Sequence, residues 1–223
     1  MTLLFDSLWQ LGEACEQAGR IIGDLSEPDA EAKLSNFERA VQYYARARGV
    51  LDSNESIFSN VDRLRGHIAY RLAVCLEQVG QWNNALEEAN RAVENYELAG
   101  DKESIGRAAL LSAALCQRLR LDEKARQRYY YARSFFESLG DMNQVASTKV
   151  QIGILLVRQG ATEAALEELR DARSIYTEKK EIEMVDQVDE LIKAALMESQ
   201  APIEQWHWVF PEESDNSSNK EIK

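Results

Sequence analysis

The side chains that most often carry chemistry are sparse in this chain. Histidine occurs twice, at His67 and His207, in stretches of different character. Cysteine occurs three times, at Cys15, Cys75 and Cys116. No HExxH, CxxC, phosphate-loop or GxGxxG pattern is present, so neither a metal ligand set nor a nucleotide cradle is written here. Paired acids stand at Glu87-Glu88 and Glu167-Glu168, opposite an alanine stripe, where solvated helix faces are expected. Cys75 and Cys116 lie in apolar stretches and read as small core residues. No catalytic residue, metal site or cofactor is expected, and the chain reads as a binding protein, not an enzyme.

Charge narrows the partner. In 223 residues, 38 acidic side chains outweigh 26 basic ones for a net of −12. Neutralising phosphates takes Lys and Arg, so nucleic acid and anionic membrane surfaces are poor partners for such a chain. No run approaches the roughly 18 apolar residues of a membrane span. The N-terminus has no basic region ahead of its apolar residues and does not read as a signal peptide. An odd cysteine count implies no disulfide framework, and a reducing, cytoplasmic location is expected.

The elements that would position any site repeat at a fixed step. Gly100-Asp101 and Gly140-Asp141 are 40 residues apart. The same step joins Ala85, Ala125 and Ala165, then Ala92, Ala132 and Ala172, then Tyr96, Phe136 and Tyr176, and also Gly80 with Gly160. Within a unit, Trp82, Ala85, Leu86, Ala89, Ala92, Val93 and Tyr96 fall three or four apart, one face of an α-helix. No stretch alternates with period two. Gly100 and Gly140 suit left-handed helix ends, and Asp101 and Asp141 suit the N-caps that follow. Gln144, three residues after Asp141, makes a capping-box pattern. Ser26-Glu27-Pro28-Asp29 is another helix start. The spacing predicts nine helices, at 3–23, 28–51, 55–79, 82–98, 102–119, 122–138, 142–159, 162–178 and 182–198. Tyr129-Tyr130-Tyr131 cannot all face inward on one of them.

Helix pairs with small residues at their crossings resemble the tetratricopeptide repeat family. Leu72-Ala73, Leu76, Gly80, Trp82, Ala85 and Ala92 carry the resemblance in one unit. Ile152-Gly153, Leu156, Gly160, Ala165 and Ala172 carry it in another. Ala113, Ala125, Tyr129 and Ala132 carry it in the unit between, where Arg120 replaces the turn glycine. The period is 40 and not the family's usual 34. The resemblance implies an all-α, right-handed solenoid of antiparallel helix pairs over 1–199, with 1–54 a divergent first pair and 55–199 regular repeats plus a capping helix. It also implies a concave groove lined by the first helix of each pair. The groove positions are His67, Tyr70, Val74, Glu77 and Gln78; Arg107, Leu110, Ala114, Gln117 and Arg118; and Ser147, Val150, Ile154, Val157 and Arg158. The family's Lys and Asn clamp for chaperone tails is absent, because those positions hold Tyr70, Val74, Leu110, Ala114, Val150 and Ile154. An apolar floor with three arginines suits an acidic peptide or helix.

The expected function is therefore an adaptor, assembly factor or regulator binding a protein or peptide. Alternatives are a peptide sensor whose superhelix closes on its ligand and an accessory subunit of an enzyme complex. Residues 200–223 differ in composition and read as a tail. The stretch Pro202–Pro211 holds Ile203, Trp206, Trp208, Val209 and Phe210 in otherwise polar surroundings. Trp206, Trp208 and Phe210 are expected to dock, either as a cap on the last helix, on a second molecule, or in the groove.

Overall fold

The computed structural model describes residues 1–23 and 30–198. Among these the chain forms nine α-helices and no strand. They are α1 (Thr2–Gly23), α2 (Ala30–Ser53), α3 (Val61–Gln78), α4 (Trp82–Ala99), α5 (Lys102–Arg118), α6 (Asp122–Leu139), α7 (Met142–Arg158), α8 (Thr162–Lys179) and α9 (Ile182–Glu198). The helices pair as α1/α2, α3/α4, α5/α6 and α7/α8, and each pair stacks on the next. This is the tetratricopeptide-like solenoid that the repeat predicts.

The repeating columns form the core. Ala85, Ala125 and Ala165 are fully buried, as are Ala92, Ala132 and Ala172. These alanines let neighbouring helices approach closely, and larger side chains would hold the backbones apart. Tyr96, Phe136 and Tyr176 are buried too, and each belongs to the same cluster or packs on the same small column of the preceding helix. At Gly66 a Cβ would stand 2.7 Å from the Tyr96 ring. The first pair uses the same device, with Gly12 beneath Tyr44 and Gly19 beneath Phe37.

The junctions repeat as well. Gly80, Gly100, Gly140 and Gly160 all have φ near +70°. The two columns are completed by Arg120 at φ 59° and Lys180 at φ 61°, where a side chain accepts a conformation that glycine adopts freely. Asp101 and Asp141 cap the following helices by accepting from the Ser104 and Gln144 N–H groups, each at 3.2 Å. The Asp141 N–H donates back to Phe136 O at 3.0 Å, so the capping box closes on one side and the helix-end motif takes the other donor.

Two expectations are corrected. The helix expected over 55–79 begins at Val61, after a separate 3₁₀ turn at Glu55–Ile57. Phe58 is extended and its ring meets Phe5 at 5.1 Å, which pulls the chain off the helical path. Arg65 holds the turn in place through Asp52 at 3.0 Å and through Glu55. The acids read as solvated faces are in part structural. Glu88 is only 7% exposed and accepts from Arg48 (2.8 Å) and Arg91 (2.7 Å). Glu168 accepts from Arg133 (3.0 Å) and Lys149 (3.0 Å). Arg48 and Glu88 are themselves one period apart, so the second helices are stitched by ion pairs that the alanine stripe alone does not reveal. The helix start at Ser26–Asp29 lies outside the described residues.

Candidate functional site

The first helices of successive pairs, α3, α5 and α7, present one repeating face. Their inner sides are sealed by Ala73, Ala113 and Gly153, and by Leu76, Cys116 and Leu156. The opposite side leaves Tyr70, Leu110 and Val150 half-buried at 40-residue steps, with Val74 and Ala114 one turn further on. Each of Tyr70, Leu110 and Val150 rests on the core beneath it. Ile154 and Val157 are more deeply buried than their counterparts, so the apolar floor is shallower near α7.

The polar members of this face are held by partners. Gln117 Oε1 accepts from the buried Tyr129 hydroxyl at 2.8 Å, which fixes its amide. Arg118 Nε lies 3.3 Å from Glu77 Oε1, joining α5 to α3 across the unit boundary. Arg107 pairs with Glu103 one turn earlier on α5 and is largely exposed. Arg158 Nη2 lies 3.4 Å from Asp122 Oδ1 at the start of α6. Burial of the Arg158 guanidinium, with a side chain 9% exposed, lowers its pKa. The three arginines thus do not form one uncompensated basic patch. Each meets a carboxylate, and an acidic ligand must exchange with it.

His67 sits apart from the arginines, near the N-terminal end of α3. Its ring meets Tyr96 edge-on at 5.4 Å. Burial first, and Arg63 second, lower its pKa below the usual histidine value. It borders an open cavity of about 420 Å³ together with Phe58, Asn60, Arg63 and Leu64. Buried Cys75 and Cys116 have raised pKa values, that of Cys75 pushed up to about 12 by burial, so neither is poised as a thiolate. Tyr130 is exposed beneath Arg133, whereas Tyr131 leans on Phe135 and donates to Glu97, so the tyrosine triplet divides as helical geometry requires. Trp206, Trp208 and Phe210 lie outside the described residues.

One polar centre was not foreseen. Glu16 on α1 is 2% exposed and accepts from Tyr44 (3.1 Å), Arg20 (2.8 Å) and Arg71 (3.2 Å). Arg71 also approaches Glu13 at 3.5 Å, so this network ties α1 to α3. Burial and Glu16 together raise the Tyr44 pKa far above the ordinary tyrosine value. The sequence signal was the Glu13, Glu16, Arg20 spacing on α1, but only the fold brings Tyr44 and Arg71 to it. Among the described residues no cluster of three His, Cys, Asp or Glu is arranged to hold a metal, and no helix is long and apolar enough to cross a membrane.

Fold and face together define a tetratricopeptide-like repeat scaffold. No family model matches the sequence, and no curated protein is significantly similar to it. Solved structures do share the fold. The apo form of RapI is 16% identical with a TM-score of 0.66, over 76% of this chain and 46% of that one. The Rap conjugation gene regulator of plasmid pLS20, in complex with the Phr* peptide, is 16% identical with a TM-score of 0.52, over 78% of this chain and 47% of that one. A putative kinesin light chain of Podosopora anserina with TPR-like repeats is 12% identical with a TM-score of 0.60, over 89% and 99%. This chain thus spans about half the length of the two Rap proteins.

Proposed function

We propose that the chain is a non-enzymatic protein-interaction module that takes a peptide or helix across α3, α5 and α7. The observation that carries this reading is the row Tyr70, Leu110, Val150. Three half-buried apolar side chains recur at the repeat step on one face, flanked by oriented polar groups such as Gln117. An extended peptide or helix laid along the row would contact one residue per unit, which is how repeat scaffolds convert a period into a binding surface. The net charge of −12 favours a protein partner over nucleic acid or anionic lipid, and the free cysteines Cys15, Cys75 and Cys116 fit a reducing, cytoplasmic place of action.

A second reading is a peptide-sensing regulator whose units close around the ligand. It draws support from the fold shared with a Rap regulator solved with a peptide bound. The test selects peptides from a displayed library on the full chain and measures their affinity by calorimetry. Tyr70→Ala with Leu110→Asp should weaken the selected peptides by tenfold or more while the helical signal is retained. Unchanged affinity would move the site off this face. Small-angle scattering separates the two readings, because a sensor contracts on binding and a static adaptor does not.

A further inference from the structure

Gly12 lies beneath Tyr44 as Gly66 lies beneath Tyr96, which aligns α1 with α3 at a step of 54 residues. Gly19 then matches Ala73 and Gly153, and it too lies beneath a ring, that of Phe37. In this alignment Leu11, Ala14, Ala18 and Ile21 occupy the face by which each later first helix meets the second helix before it. On α3, Ile68, Leu72 and Cys75 share a core with Tyr44, Ala47 and Leu51 of α2. On α7, Ile152 and Leu155 share one with Ala125 and Tyr129 of α6. These five first-helix residues are at most 2% exposed. On α1 the same face is uncovered: Leu11 is 46% exposed, Ile21 is 64% exposed, and Ala14 is exposed between them. Among the described residues the main contact of α1 is α2, which takes a different face through Leu8, Gly12 and Gly19. Leu4, one heptad before Leu11, extends the exposed stripe and borders an open cavity of about 370 Å³ with Leu8 and Val50.

We propose that a second copy of this chain covers the stripe, the two α1 helices packing antiparallel about a two-fold axis. Leu4, Leu11 and Ala18 alternate with Ser7, Ala14 and Ile21 at heptad spacing, the pattern of a two-helix seam. Antiparallel pairing sets Leu11 against the second copy's Ala14, Ser7 against its Ala18 and Leu4 against its Ile21. Bulk therefore meets a small residue at the axis, and at each end Ile21 finds the cavity beside Leu4. Parallel pairing would set Ala14 on Ala14, leaving voids, and would align the two helix dipoles. The Ser7 hydroxyl already donates to Leu3 O at 2.7 Å, so it enters the seam with its hydrogen bond made.

The charge pattern fits the same occupant. Two chains of net −12 repel each other, so their contact has to be free of like charges. The charged residues of α1 are Asp6, Glu13, Glu16 and Arg20, and none lies in the stripe, whose open edge carries Gln10 and Gln17. Glu13 and Glu16 are drawn instead toward Arg71 on α3. From Leu4 to Ile21 the seam is about 26 Å long. Two such faces bury roughly 1,000 Å² in all, the lower edge for a specific interface, so dissociation falls in the micromolar range.

Sedimentation equilibrium of the full chain across the micromolar range tests the assignment. The wild type should pass from monomer to dimer, and added salt should tighten the dimer by screening the two net charges. Leu11→Asp, with its helical signal retained, should weaken the dimer by at least tenfold, because a carboxylate would be buried without a partner. Tyr70→Ala, on the face proposed for peptides, should leave it unchanged. Leu4→Cys and Ile21→Cys in one chain should join two copies on mild oxidation, and the buried native cysteines should not compete. Either substitution alone should not cross-link, since like positions then stand a helix length apart. A wild type that stays monomeric overturns the proposal, as does a dimer indifferent to Leu11→Asp. So does a dimer dissolved by Tyr70→Ala or by salt, since the contact then lies in the groove or rests on ion pairs. Cross-linking of a single-cysteine variant overturns the antiparallel arrangement.

Discussion

Phe136 sets its ring over the backbone of Gly106, so closely that a Cβ on Gly106 would stand 2.9 Å from Cε1 of the ring. The two residues belong to the paired helices α5 and α6, and Phe136 is almost wholly buried. One methyl group at this crossing has no free volume and must push the helices apart. Gly106→Ala should destabilise the protein by about 1–3 kcal/mol through overpacking. Gly49→Ala is the control, because nothing lies within 4 Å of its Cβ position on α2. It should stabilise by about 0.5–1 kcal/mol, the usual helix gain over glycine. Urea midpoints of the two variants moving in the same direction would contradict this account.

Arg120 and Lys180 hold the left-handed turn that glycine holds at Gly80, Gly100, Gly140 and Gly160. Arg120→Gly and Lys180→Gly should each raise stability by about 0.5–1 kcal/mol, since relief of the left-handed strain exceeds the entropy glycine costs in the unfolded chain. The check is thermal melting of each variant beside the wild type. A fall in melting temperature means that Arg120 or Lys180 contributes through its side chain more than it loses through its backbone.

The architecture was legible because spacing alone encodes it. Alanine and aromatic columns at a 40-residue step specify helix crossings, and glycine followed by aspartate specifies junctions. The helix at 55–79 misled because Phe58 fits helical periodicity as well as it fits the Phe5 contact, and only the first pair decides between them. Glu16 and Glu88 were opaque for a related reason. A buried carboxylate is identified by the donors around it, and Tyr44, Arg71 and Arg48 come from other helices. The repeat step alone puts Tyr70, Leu110 and Val150 on one face, whereas the ion pairing beside them could not be read from it, since Glu77 and Arg118 meet only when two units stack.

Glu16 should be the least replaceable acid in the first pair. Removing it leaves the buried Tyr44 hydroxyl without its acceptor and takes a countercharge from Arg71. Glu16→Ala should cost about 2–3 kcal/mol, as loss of one member of a buried network does. Glu16→Gln, which still accepts from Tyr44, should recover part of that. Equal stability of the wild type and both variants in chemical denaturation would place the anchor of α1 elsewhere.

If an acidic peptide binds the proposed face, its carboxylate competes with Glu77 for Arg118, which now lies 3.3 Å away. Glu77→Gln should then tighten such a peptide severalfold, and Arg118→Ala should weaken it. The opposite signs distinguish competition from a general loss of structure, which would weaken both. Calorimetric titration at low and at physiological salt checks the pair, because the gain from Glu77→Gln should shrink as screening grows. Glu77→Gln without effect on any selected acidic peptide would detach Arg118 from recognition.

His67 offers a reading of the same face through pH. Its pKa is lowered from about 6.5 in the folded protein, first by burial and then by Arg63. A lowered base binds its proton more weakly folded than unfolded. Between the folded value and 6.5 the unfolded chain therefore holds more protons, and stability rises with pH. The contribution is intact above pH 6.5 and is lost as pH falls through that window. His67→Gln cannot titrate, so wild-type stability should decline relative to this variant between pH 7.5 and pH 5.5, on top of the carboxylate effects both share. Ring resonances of His67 followed by NMR should place its midpoint below 6.5 in the free protein. A ligand carboxylate arriving beside the ring would favour the imidazolium and move that midpoint upward, so the same resonance reports occupancy. A midpoint at or above 6.5 without ligand means that the ring is solvated and that its contact with Tyr96 is not the packing described here.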